Sequence, residues 1–198
     1  MTSPAELLDN PAPEEHLLQL YGSDDPSLVR NVTRYLREGL RRGDGLTVIA
    51  TAPHRASFAR ILCEEPLYSG AVLTGRLVFL DAEMTLGRFM IGGQPDETLF
   101  SAVIGDALDG VRSRAAHSMI RAYGEMVAVL WSRGEYDAAI RLEALWNRLL
   151  TSSDVSLFCA YPIDVLGPEF HHGPVESVLH AHSRIVGDDN LEPELNRF

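Results

Sequence analysis

The chain has 198 residues, 45% of them apolar and 23% charged, and a formal net charge of −11. That length suits one domain, since a chain of this size buries roughly 70% of the surface it exposes when unfolded, and no apolar run approaches the ~20 residues needed to cross a bilayer. The acidic balance, 28 Asp and Glu against 17 Lys and Arg, excludes nucleic-acid binding through phosphate neutralisation, which needs a concentrated basic surface.

Residues 1–13, with Pro4, Pro11 and Pro13, have neither the basic nor the apolar region of a secretory signal. They read as a flexible lead-in, with order beginning near His16. Cys63 and Cys159 form no C-x-x-C motif and read as free thiols, so a reducing, bacterial-type cytoplasm is the expected setting. Asp24, Asp25 and Pro26 supply a cap and a first-turn proline. Leu28, Val32, Tyr35, Leu36 and Leu40 then recur at helical spacing up to the stop at Gly43. Leu46 to Ala52 is a short, β-branched apolar run, as expected of a strand buried on both faces. A helix through Phe58, Ile61 and Leu62 follows and closes at Pro66, and Arg76 to Leu80 makes a second strand. The resulting β-α-β rhythm predicts an α/β fold with a mostly parallel central sheet flanked by helices in three layers.

Met84 to Met90 reads as a short helix broken at Gly92 and Gly93. Asp96 caps the next helix, whose apolar face carries Phe100, Val103, Ile104, Leu108 and Val111. A strand over 119–123 precedes a helical segment containing Met126, Val127, Leu130 and Trp131. After Gly134 comes a helix with Leu142, Leu145 and Leu149 on one stripe and Glu143 and Asn147, four apart, on another. Val155 to Ala160 is the next strand. Pro174 to Ile185 has helical periodicity, and an acidic tail closes the chain. The expected boundaries are a lead-in over 1–13, one domain over 14–186 and the tail over 187–198.

In an open α/β sheet, ligands sit beyond the carboxyl ends of the strands, so Tyr123, Glu125, Cys159 and Tyr161 are candidates to line one site. Glu125 can anchor a ligand or be a structural carboxylate paired with Arg121 or with a helix N-terminus. Trp131 and Trp146 suit either a pocket wall or the core. Glu143 and Asn147 can reach a ligand from one helix face or bond between helices, and His16 with Tyr21 either closes over the site or anchors the amino terminus. Cys159 is a small buried hydrophobe or a thiol placed for redox or metal contact. The four imidazoles of His171, His172, His180 and His182 match no compact zinc spacing, so no metal is expected. His182 is the one expected to be buried. The turn Thr51-Ala-Pro-His-Arg-Ala-Ser57 lacks the glycines and lysine of a phosphate loop. His54 and Arg55 remain there to meet an anion at the helix N-terminus or to cap that helix.

These motifs, in this order, are also those of a known family. His16-x-x-x-x-Tyr21, Gly39-Leu40-Arg-Arg-Gly43-Asp44, Thr51-Ala-Pro-His-Arg55, Gly75-Arg-Leu77, Asp81-Ala-Glu83, Pro95-Asp96, Arg121-Ala-Tyr-Gly-Glu-Met126, Leu142-Glu143 with Trp146-Asn147, and Cys159-Ala-Tyr-Pro162 resemble the MEDS family of methanogen and methylotroph DcmR-type sensory domains. The resemblance implies a RecA/KaiC-like fold with a decayed phosphate loop, and a non-enzymatic sensor of hydrocarbon derivatives in bacterial and archaeal signalling. It adds no helix-turn-helix or kinase segment to this chain, so a stand-alone sensor or the partner of a histidine kinase or regulator is expected, without cofactor, direct nucleic acid or membrane. The expected ligand-binding set is His16, Tyr21, His54, Arg55, Tyr123, Glu125, Trp131, Glu143, Trp146, Asn147, Cys159 and Tyr161. The alternatives are a degenerate nucleotide binder or ATPase, and an oligomeric interaction module for a kinase or anti-sigma partner.

Overall fold

Short leucine- and valine-rich runs whose residues can face water on neither side become strands covered by helices on both faces. The computed structural model describes residues 3–116, 119–151, 153–165, 170 and 173–187. Its strands are β1 (His16–Leu20), β2 (Gly45–Ala50), β3 (Leu77–Asp81), β6 (Ile120–Gly124), β7 (Val155–Tyr161) and β8 (Arg184–Ile185). They form one sheet in the order β3-β2-β6-β7-β1-β8, with every pairing parallel. The expected three-layer α/β fold is therefore the observed one.

One face of the sheet is covered by α1 (Pro4–Asp9), α2 (Asp25–Arg42), α3 (Ala52–Leu62) and α4 (Tyr68–Thr74). The other carries α5 (Ala82–Gly87), α6 (Glu97–Arg112), α7 (Met126–Ser132), α8 (Tyr136–Leu150) and α9 (Gly173–Ala181). Caps act where the sequence places them. Asp24 accepts from Ser27 N, Asp96 accepts from Leu99 N, and Gly43 ends α2 at φ 83°. At Gly43 the left-handed backbone favours glycine.

Several expectations are corrected. The lead-in holds α1, because Ser3 caps it, Pro4 suits its first turn and Leu7 and Leu8 are buried. His16 to Leu20 is a strand that joins β7 and β8. The helix through Pro174 ends at Ala181, and Ile185 pairs with Leu18 as part of β8. The strand expected to run to Ala52 ends at Ala50, because α3 begins at Ala52 with Pro53 in its first turn, where a missing N–H costs nothing. Gly92 and Gly93, both at positive φ, turn the small hairpin of β4 (Met90–Ile91) and β5 (Gln94–Pro95). His171, His172 and the acidic residues after Gly187 lie outside the described residues.

Gly39 of α2 lies tight against the sheet, with no room for a side chain. A Cβ there would sit 2.6 Å from Leu46 Cδ2 and 2.9 Å from Arg121 Cδ. Alanine normally favours a helix by ~1 kcal/mol over glycine, but overpacking a filled core costs about 1–3 kcal/mol. Gly39→Ala is expected to lower the urea midpoint; a rise would show that α2 can move off the sheet at no cost.

Candidate functional site

The two connections that leave neighbouring strands β2 and β6 pass to opposite faces, α3 to one and α7 to the other. Such a switch point opens a crevice beyond the strand ends, and Thr51 and Glu125 stand on its two sides. Glu125 is 1% exposed. Its Oε2 accepts the Thr51 N–H at 2.6 Å, and its Oε1 accepts the Tyr123 hydroxyl at 2.8 Å and the ring Nδ1–H of His54. The carboxylate thus sits at the N-terminus of α3, where the helix dipole favours an anion.

The His54 bond to Glu125 raises the imidazole pKa above its ordinary value against the opposing effect of partial burial, and Asp25, 3.9 Å from Nε2, adds to it. Burial first, and then the Glu125 charge, push Tyr123 well above the ordinary phenol range and keep it a donor. The crevice, of about 290 Å³, is lined by Tyr21, Thr51, His54, Glu125, Ala128 and Val129, with the exposed Glu83, Ser132 and Arg133 at its rim. Tyr21 meets the His54 ring edge-on at 6.3 Å. A larger hollow of about 810 Å³ runs along α2 and α3 and shares none of Thr51, His54 or Glu125. Its Arg34, Arg37 and Arg41 are engaged by Asp9, Glu65 and Glu38.

The predicted ligand-binding residues separate into two groups and a remainder. Tyr123 registers with Phe158, and Gly124 with Cys159. Alternate residues of a strand face opposite sides, so Tyr123 joins the α2–α3 face while Cys159 and Tyr161 join the α8–α9 face. His16, Glu143, Asn147, Cys159 and Tyr161 meet there in a second, closed cluster. Tyr161 donates to Glu143 Oε1 at 2.6 Å, His16 Nδ1 bonds Asn147 Oδ1 at 2.8 Å, and Asn147 Nδ2 donates to Ala181 O at 2.8 Å. Burial, followed by the neighbouring His182, pushes His16 down to about 4, and burial pushes the Cys159 thiol well up. Burial alone would raise Glu143, but His182, His16 and the Tyr161 hydroxyl outweigh it and hold the carboxyl below its ordinary value.

The remaining members lie elsewhere. Arg55 bonds Asp81 at 2.6 Å. Trp131 packs on Tyr136 and Tyr161, and Trp146 on Phe100, both within the core. Arg121 does not pair with Glu125. It lies near the start of β6 and bonds Asp44. Two participants escaped the sequence reading. The Thr51 N–H carries no side-chain signal, and His182, whose burial was expected, enters the second cluster from a distant part of the chain.

These features define a parallel three-layer α/β domain whose candidate site lies at the topological switch point. Residues 15–182 match the family model described as MEDS, the methanogen/methylotroph DcmR sensory domain. The chain belongs to that family, which places it among the sensory domains of signal transduction. No curated protein matches it by sequence.

Proposed function

We propose that the domain is a non-enzymatic cytoplasmic sensor. It binds a small, largely apolar molecule of the hydrocarbon-derivative class in the switch-point crevice and passes the change to a partner protein. The observation that carries this reading is the pairing of a buried, anchored carboxylate, Glu125, with the apolar side chains of Ala128 and Val129 in a space of about 290 Å³, whose other carboxylate, Glu83, is exposed at the rim and paired with Arg133. A few placed polar groups on an apolar wall are what a small-molecule site needs. On this reading the fold is a RecA/KaiC-like one that has given up phosphate. The helix begins one residue after β2, and the Thr51 N–H, a natural phosphate donor, is held by Glu125.

The test is a thermal-shift series over short alcohols and haloalkanes, with ATP and Mg²⁺ as a separate arm. A ligand at ten times its Kd adds about 1.4 kcal/mol, which moves Tm by roughly 3–6 °C in a domain of this size. Ser132 is exposed at the crevice rim, so Ser132→Trp is expected to erase the shift while leaving the unliganded Tm unchanged. A flat series would overturn the proposal, as would a shift with ATP alone.

A further inference from the structure

The second cluster is built from four segments far apart in sequence. His16 opens β1, Glu143 lies in α8, Cys159 in β7 and His182 in the turn between α9 and β8. One donor atom from each lies within 4.8 Å of all the others. His16 Nε2 is 3.4 Å from Cys159 Sγ and 3.4 Å from Glu143 Oε2, His182 Nε2 is 3.3 Å from Glu143 Oε1, and Cys159 Sγ is 3.9 Å from Glu143 Oε2. Around a tetrahedral ion with metal–N and metal–O distances of about 2.0–2.1 Å and metal–S of about 2.3 Å, neighbouring donors stand roughly 3.3–3.7 Å apart. Three of these separations fall in that range and the fourth is 3.9 Å; they involve both oxygens of Glu143, and with one donor atom per residue all four lie within 4.8 Å, so a small shift of the carboxylate brings one oxygen to the shared centre.

The orientation of both imidazoles carries the argument further. His182 Nδ1 lies 2.6 Å from Val178 O, a carbonyl that can only accept, so Nδ1 bears a proton. Its Nε2 is buried and faces Glu143 Oε1 at 3.3 Å, out of line for a good hydrogen bond. His16 uses Nδ1 on Asn147 Oδ1, whose amide nitrogen is fixed by Ala181 O, and turns Nε2 toward the sulfur. A histidine whose outer N–H is held by an oxygen acceptor while the other nitrogen faces inward is the arrangement of a metal ligand with its orienting partner. The buried Glu143 carboxylate is met by both imidazoles and the Tyr161 hydroxyl, and a cation among the four donors takes the place of an imidazole proton as its countercharge.

From this geometry we infer that His16, Glu143, Cys159 and His182 form a closed tetrahedral site for a divalent transition metal of the zinc class. A mixed nitrogen, sulfur and carboxylate set suits such an ion and not Mg²⁺ or Ca²⁺, which take oxygen. Cys159 binds as thiolate, its proton leaving to solvent. The ion ties the α9–β8 segment to β1, β7 and α8. The Cys159–His16–Asn147 succession also has the order of a thiol nucleophile with its base, but Cys159 is 0% exposed inside a full core, and no substrate carbonyl can approach it.

The experiment loads the full chain, carrying Cys63→Ser to remove the exposed thiol, with Co²⁺ and separately with Zn²⁺. The expected results are stoichiometric metal after desalting, an intense visible tetrahedral Co²⁺ spectrum with a near-ultraviolet thiolate charge-transfer band, and a Tm that falls with chelator and returns with Zn²⁺. The charge-transfer band is expected to vanish in Cys159→Ser. Asn147→Leu, which removes the orienting acceptor together with the amide bond to Ala181 O, is expected to weaken binding by about 10–100-fold. Absence of the band in the Cys63→Ser protein overturns the inference whatever the other variants do. So does its persistence in a folded Cys159→Ser.

Discussion

Replacing Arg121 by methionine is expected to remove about 3–5 kcal/mol of folding free energy, the usual cost of stranding one half of a buried ion pair. Arg121 is 1% exposed and Asp44 3%. The guanidinium bonds Asp44 Oδ2 at 2.8 Å, Leu8 O at 2.9 Å, Tyr35 O at 3.1 Å and Asp9 O at 3.1 Å, and lies 5.3 Å from the centre of the Tyr35 ring. Methionine fills much of the volume and answers none of these acceptors, so Asp44 is left as a buried, unpaired charge. Domains of this kind hold only about 5–15 kcal/mol in total, so the variant should unfold at a much lower urea midpoint with its m-value retained. Arg121→Met combined with Asp44→Leu is expected to recover a large part of the loss, because burying two apolar groups in place of an ion pair is often close to neutral. A loss below about 1 kcal/mol in the single variant would contradict the pairing.

Arg121 also shows where sequence reading reaches its limit. The strand that contains it was legible as the apolar run over 119–123, and its helix partners were legible from caps such as Asp24 and Asp96. What a strand residue touches depends on which strand lies beside it and on the parity of the register. Arg121 sits two residues from Tyr123 and four from Glu125, yet it bonds backward to α1 and Asp44 near the start of β6 while Glu125 lies beyond the other end. The same parity sends Tyr123 and Cys159 to opposite faces, so the single site expected from four strand-end residues becomes two. His182 and His16 are 166 residues apart, and no local spacing announces a cluster closed by β8, a two-residue strand too short to show periodicity. The motifs named the participants of both clusters better than they named the groups to which those participants belong.

Glu125→Ala is expected to cost roughly 2–4 kcal/mol, since the Thr51 N–H and the Tyr123 hydroxyl would lose their acceptor inside the fold and each stranded donor costs about 1–3 kcal/mol, not fully additively. The pH dependence separates this loss from a plain packing defect. His54 has its folded pKa raised above 6.5 by the bond to Glu125. Its contribution to stability is therefore complete below 6.5 and is lost as pH climbs through the raised value. Unfolding measured across that window should show the wild-type protein losing stability with rising pH more steeply than Glu125→Ala. His54→Gln should flatten the slope in the same way while costing less at high pH, because Thr51 and Tyr123 keep their acceptor. If His54→Gln retains the wild-type slope, His54 does not titrate against Glu125, and the carboxylate is held by the helix N-terminus and the tyrosine alone. If both variants are flat but Glu125→Ala stays the weaker at high pH, the difference measures what the carboxylate does for the two buried donors.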